Sequence, residues 1–140
     1  MTPESKKKLK ELLVSHESYK QFPYVDTTGH ITIGIGRNLT ERGVSHNEAY
    51  TLLDDDILYF TDKLSQLDWF VNLDEIRQLV LVDMCFNLGL NNLLNFKEMI
   101  KYLKVKNYEG AAQEMIHSKW AEQVKDRAVQ LADIMEIGNL

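Results

Sequence analysis

This chain has almost no cysteine, no excess of basic charge and no apolar run long enough to cross a bilayer. Its one cysteine, Cys85, cannot form an intramolecular bridge, and the apolar setting LVLVDMCFNLG points to a buried, inert thiol. The formal net charge is −5, which argues against nucleic acid as the main partner, because neutralising phosphates takes a basic surface. The opening MTPESKKKLKELL carries lysines but no apolar core of a signal peptide, and no membrane insertion is expected. There is no internal repeat and no low-complexity linker. What is present is ordinary for a folded domain: 140 residues, 44% hydrophobic and 26% charged, enough for one domain with a core.

Local signals organise that length. Thr2, Pro3 and Glu4 read as a helix entry, and Leu9, Leu12 and Leu13 recur at helical spacing to about Ser15. The period then becomes two: Phe22, Tyr24 and Asp26, a Thr27-Thr28-Gly29 turn, then Ile31, Ile33 and Ile35 alternating with Thr32, Gly34 and Gly36, a hairpin. Ser45 and Glu48 make a capping box that opens a long helix. A mostly apolar helix begins at Asn72 or Asp74 and stops at Gly89, with shorter helices near 93–104, 107–117 and 119–135. The expected fold is α+β and mainly α, a single domain over 1–140. It comprises a hairpin lobe at about 16–44, a bridging helix at about 45–66, and a helical lobe at about 67–140 that also takes the first helix. A cleft is expected where the two lobes join.

The chemistry concentrates in HESYKQFPYVDTTGHITIGIGR, residues 16–37. Glu17 follows the first helix, where the negative end of the helix dipole favours a neutral acid. Asp26, at the mouth of the turn, is placed to stay ionised. Two carboxyls in different protonation states suit glycosidic cleavage, one protonating the leaving oxygen while the other acts on water or carbon. The isoleucine face is expected to pack, and the Thr32-Gly34-Gly36 face to lie bare for a bulky substrate. Read without further context, such acids are more often solvated caps, and the glycines can equally serve twist or close packing. His16 and His30 flank the acids, but no HExxH and no second ligand cluster accompanies them, so no metal is expected.

Glu17, eight residues, Asp26, five residues, Thr32 and then IGIGR together resemble the catalytic segment of the phage-type lysozymes of glycoside hydrolase family 24. GVSHNEAYTLLDDDI resembles that family's interlobe helix, FNLG at Phe86 to Gly89 its core-helix signature, and KWAEQVKDRA its C-terminal segment. The resemblance covers nearly the whole chain in order and implies a lysozyme-like fold. It implies a muramidase, an endolysin that cuts peptidoglycan between N-acetylmuramic acid and N-acetylglucosamine without a cofactor. Glu17 would be the acid, Asp26 the carboxylate working on water, Thr32 the residue holding that water, and Arg127 the partner orienting Glu17. Asn38, Phe86 and Asn87 match weaker substrate-contact positions. The expected protein is a monomer made in a bacterial host cytoplasm, reaching the wall by a route other than a signal peptide.

Three departures stand out. The segment between the hairpin and the bridging helix is short, Arg37 replaces the histidine that follows GIG in the T-even phage member, and the charge is acidic where wall-directed lysozymes are commonly basic. Asp83 and Asn87 share a helix face and either line the cleft or satisfy each other and nearby backbone. Trp69 and Trp120 are expected in the core. Two further classes compete: a catalytically silent glycan-binding or phage structural module, which would lack Glu17 or Asp26, and a lytic transglycosylase, which would not need Asp26 or Thr32.

Overall fold

The computed structural model describes residues 1–140, in nine helices and one three-stranded antiparallel sheet. The mainly helical α+β class expected from the sequence is what the chain adopts. It divides into two units, Met1–Thr51 and Leu52–Leu140.

The first unit opens with helix α1, Pro3–Glu17. Thr2 caps it, its hydroxyl accepting from the Ser5 amide at 3.1 Å, and Pro3 fills the first turn, where a missing N–H costs nothing. The helix runs two residues beyond the expected Ser15, so Glu17 is its last residue. Ser18, at φ +63, then turns the chain away. Strands β1 (Lys20–Val25), β2 (Ile31–Gly34) and β3 (Arg37–Asn38) follow in that order, with β2 in the middle. A third strand was not expected. Its pairing puts Thr32 opposite Tyr24 on one side and Asn38 on the other.

That centre position overturns the expected facing. Thr32 is buried, only 4% exposed, whereas Ile31 and Ile35 stand about half exposed, at 49% and 48%. The expected alternation does not extend to Gly36: Gly34 and Gly36 both lie at φ +67, so the strand ends and Ile35 falls outside its register.

Helix α2 runs His46–Leu64. Its capping box is formed as the sequence implied: the Glu48 amide donates to Ser45 Oγ at 3.1 Å and the Ser45 amide to Glu48 Oε1 at 2.9 Å. Arg37 adds a second tie, bonding the Gly43 carbonyl at 3.1 Å and the Glu48 carboxylate. The arginine that departs from the T-even pattern thus anchors β3 to the start of α2. It also pulls the Glu48 carboxyl down to about 2, helped by the Ser45 amide.

The second unit holds the core. Helix α3 spans Asp68–Val71, α4 Glu75–Leu88, α5 Leu90–Leu94, α6 Lys97–Lys104, α7 Tyr108–Ile116, α8 Lys119–Val124 and α9 Asp126–Ile137. Val80, Leu81, Met84 and Cys85 of α4 pack with Ala111, Ala112 and Met115 of α7 and Ala128, Leu131 and Met135 of α9. The small alanines let these helices approach closely. Burial pushes the Cys85 thiol up to about 11, which keeps it inert. Two expected helices are each broken in two, 93–104 at Asn95 and Phe96 and 119–135 at Lys125, whose φ is +49. Arg77 closes the C-terminus of α9, donating to the Met135 and Glu136 carbonyls at 2.7 and 2.8 Å while its guanidinium lies 3.4 Å over the Tyr108 ring. No helix is long and apolar enough to cross a membrane.

Candidate active site

Glu17, Asp26, Thr32 and Asn38 all belong to the first unit. Glu17 lies against Gly36: a Cβ built there would sit 2.9 Å from Cγ, Cδ and Oε2 of the glutamate. The bare glycine therefore has a definite use, which is to leave room for the carboxyl group. Gly34, at the same φ, has nothing within 4 Å.

Asp26 is held by its own turn. Its Oδ1 accepts from the Thr28 amide at 2.9 Å, the Thr28 hydroxyl at 2.8 Å and the His30 amide at 2.9 Å. The turn closes with the Gly29 amide bonding the Asp26 carbonyl at 3.1 Å, Gly29 taking φ +86. The His30 amide first, then the Thr28 hydroxyl, hold the Asp26 carboxyl below the usual carboxylate range; its slight burial opposes them. All three donors converge on one oxygen. Oδ2 accepts no hydrogen bond, and His30 Nδ1 lies 3.8 Å from it.

Thr32 joins Asp26 through the same residue. Its hydroxyl donates to the His30 carbonyl at 3.2 Å, while the Asp26 amide donates to that carbonyl at 2.9 Å. With its proton committed, Thr32 Oγ1 can offer only lone pairs to a further partner. Asn38 spends its Oδ1 on the Glu41 amide at 3.0 Å, so it fixes the turn after β3. His30, which links Asp26 to Thr32, stands out in the sequence only as a candidate metal ligand. Nothing in its spacing announces a hinge between two site residues. No group of three or more His, Cys, Asp or Glu side chains is gathered as a metal site.

Phe86, Asn87 and Arg127 belong to the second unit. Arg127 pairs with Asp83, its Nε and Nη2 donating to Oδ1 at 3.0 and 2.6 Å and Nη2 also reaching the Asp83 carbonyl at 3.0 Å. Asn87 accepts from Trp120 Nε1 at 2.7 Å. Asp83 and Asn87 thus do not satisfy each other, as one reading of their shared face had it; each serves a partner from later helices. Trp120 is buried in the core, and Trp69 packs partly buried against it, as expected. Phe86 stands beside Phe60 at 5.4 Å between ring centroids, and with Asp83 and Arg127 lines a hollow of about 540 Å³ whose other walls include Leu53, Ile57 and Leu79.

Comparison with known proteins decides what this arrangement belongs to. Residues 14–132 match the model of the phage lysozyme family, a stretch that includes Glu17, Asp26, Thr32 and Arg127. The chain belongs to the phage lysozyme family. It is similar over its length to two relatives from Dictyostelium discoideum. "Probable T4-type lysozyme 1" is 28% identical over 94% of this chain and 95% of its own, and "Probable T4-type lysozyme 2" gives the same figures. Both relatives are cellular, so likeness to phage lysozymes is not confined to phages. Membership supports a muramidase-like, glycoside-hydrolase function.

Proposed function

We propose that the chain hydrolyses the β-1,4 bond between N-acetylmuramic acid and N-acetylglucosamine in peptidoglycan, by a single displacement that inverts the anomeric centre. The observation that carries this reading is the Asp26 carboxylate, with Oδ1 clamped by three donors and Oδ2 free. A clamped, ionised carboxylate with one open oxygen is suited to take a proton from water. Glu17 gives its proton to the glycosidic oxygen as the C1–O bond breaks. A water donates one hydrogen to Asp26 Oδ2 and the other to Thr32 Oγ1, whose own proton is already on the His30 carbonyl. The water oxygen then bonds C1 from the face opposite the leaving group, and Asp26 carries the released proton.

Arg127 bonds Asp83 through Nε and Nη2, which leaves Nη1 for a further carboxylate. Phe86, on the wall of its hollow, offers an apolar surface to a sugar ring.

The test is reducing-end release from purified peptidoglycan by the native chain and by Glu17→Gln. The amide keeps the shape but has no acid proton, so a folded variant should lose at least the roughly 10²–10⁴-fold that a general acid contributes. New N-acetylmuramic acid reducing ends in the native digest support the reading. Binding without cleavage would make the chain a silent glycan-binding module, and 1,6-anhydro ends would make it a transglycosylase.

A further inference from the structure

The ring of His30 sits between two carboxylates, reached by different routes. Nε2 is 3.1 Å from Oε1 of Glu41, on the turn after β3. Nδ1 is 2.8 Å from Thr28 Oγ1, which is itself 2.8 Å from Asp26 Oδ1. The titratable groups facing the ring are these two acids, Asp26 and Glu41.

Proton counting restricts what this chain of contacts can be. A hydroxyl carries one proton, so Thr28 can donate to Asp26 or to His30 but not to both. If it donates to Asp26, Nδ1 must bring its own proton to the contact. Nε2 faces a carboxylate oxygen and must bring one as well. With both acids ionised, every contact is satisfied only when His30 is the imidazolium. A neutral ring keeps one proton. Placed on Nε2 toward Glu41, it leaves Nδ1 a bare acceptor, and the Thr28 hydroxyl turns toward it and away from Asp26. Asp26 Oδ1 then keeps two donors instead of three.

We propose that His30, backed by Glu41, is a positioning residue that commands Asp26 through the Thr28 hydroxyl. As imidazolium it sends the hydroxyl's proton to Asp26, and as neutral imidazole it takes that proton back. The device deepens the hydrolytic reading and rests on it, since it matters for turnover only if Asp26 acts on the water. Its chemical sense is favourable: the imidazolium form adds a donor to Asp26 Oδ1, and such a donor favours the ionised carboxylate. Asn38, whose side chain fixes the Glu41 amide, helps hold the outer end of the relay.

The experiment follows the Asp26 carboxyl by carbon-13 NMR in a pH titration of the full chain, native and as His30→Ala, His30→Asn, Thr28→Val and the Thr28→Val/His30→Ala double variant. The His30 amide survives every substitution, so the turn keeps its backbone tie to Asp26. In the native chain the Asp26 carboxyl signal should show a second step over the pH range in which the His30 ring signals change. His30→Ala and His30→Asn remove the ring and should abolish that step, and Thr28→Val, which keeps the ring but has no hydroxyl, should reduce it to what charge alone transmits across 3.8 Å. The double variant should show no step. In turnover, Thr28→Val should lower kcat about tenfold with KM little changed, the loss expected for one hydrogen bond to a charged acceptor. A native Asp26 signal without the second step, or a step undiminished in Thr28→Val, overturns the relay. A step that behaves as stated while kcat stays native in Thr28→Val upholds the relay and instead refutes the role of Asp26 in hydrolysis.

Discussion

Replacing Gly36 by alanine offers a way to move Glu17 without changing it. The added methyl would stand 2.9 Å from Cγ, Cδ and Oε2 of the glutamate, while carbon atoms in ordinary contact sit about 3.5–4.0 Å apart. The side chain must give way by roughly 0.6–1 Å, and it can, because the contacted atoms are the mobile end of a flexible residue. The backbone contributes separately: an L-residue held in the left-handed region costs about 1–2 kcal/mol, which lowers Tm by about 3–8 °C for a chain of this size. Gly34 supplies the control. It has the same φ of +67 and open space around its would-be Cβ, so Gly34→Ala carries the strain without the push. Thermal unfolding by circular dichroism should show similar losses for the two variants. Initial rates on soluble glycan chains should separate them, because misplacing a reacting group by about 1 Å can cost on the order of 10²-fold. Gly36→Ala should lose roughly that much in kcat, and Gly34→Ala little. Equal kcat in the two variants would mean that the space at Gly36 does not serve Glu17 in turnover.

Two further predictions concern stability. The Glu48 carboxyl is lowered from 4.5 to about 2 by Arg37 and the Ser45 amide, so its contribution is complete above 4.5 and disappears as pH falls toward 2. Urea melts of the native chain and Glu48→Gln should therefore differ at neutral pH and converge between those values; a gap that persists below pH 2 would contradict the assignment. Trp120→Phe keeps the buried ring but removes the 2.7 Å bond to Asn87, and should cost about 1–2 kcal/mol in the same assay. A neutral effect would mean that water replaces the indole donor without loss.

Much of the fold was legible because its signals are local. Thr2 with Pro3, Ser45 with Glu48 and the stop at Gly89 each act within one turn of helix, and all are formed. The facing of the sheet was not legible, because reading 31–36 as one strand required the glycines to be extended. Their positive φ instead ends β2 and makes room for a third strand, which encloses Thr32. The breaks at Asn95–Phe96 and Lys125 were missed for a related reason. Apolar periodicity continues across them while the backbone does not.

The site divides the same way. Glu17, Asp26 and Thr32 fall within sixteen residues, and their spacing carried the family resemblance. Arg127 and Asp83, 44 residues apart, meet only through the packing of α9 on α4, which no local pattern records. His30 was visible as a residue but not as a link, since its importance lies in which proton each of its atoms can hold.

The stereochemistry of the product tests the central claim most directly. If Asp26 Oδ2 acts through a water shared with Thr32, hydrolysis of a β-linked N-acetylmuramic acid–N-acetylglucosamine oligosaccharide gives the α-anomer as the first-formed reducing end, seen by proton NMR before mutarotation. A β-anomer, or a sugar trapped on Asp26, would make that carboxylate the nucleophile and leave the Thr32 hydroxyl without a role.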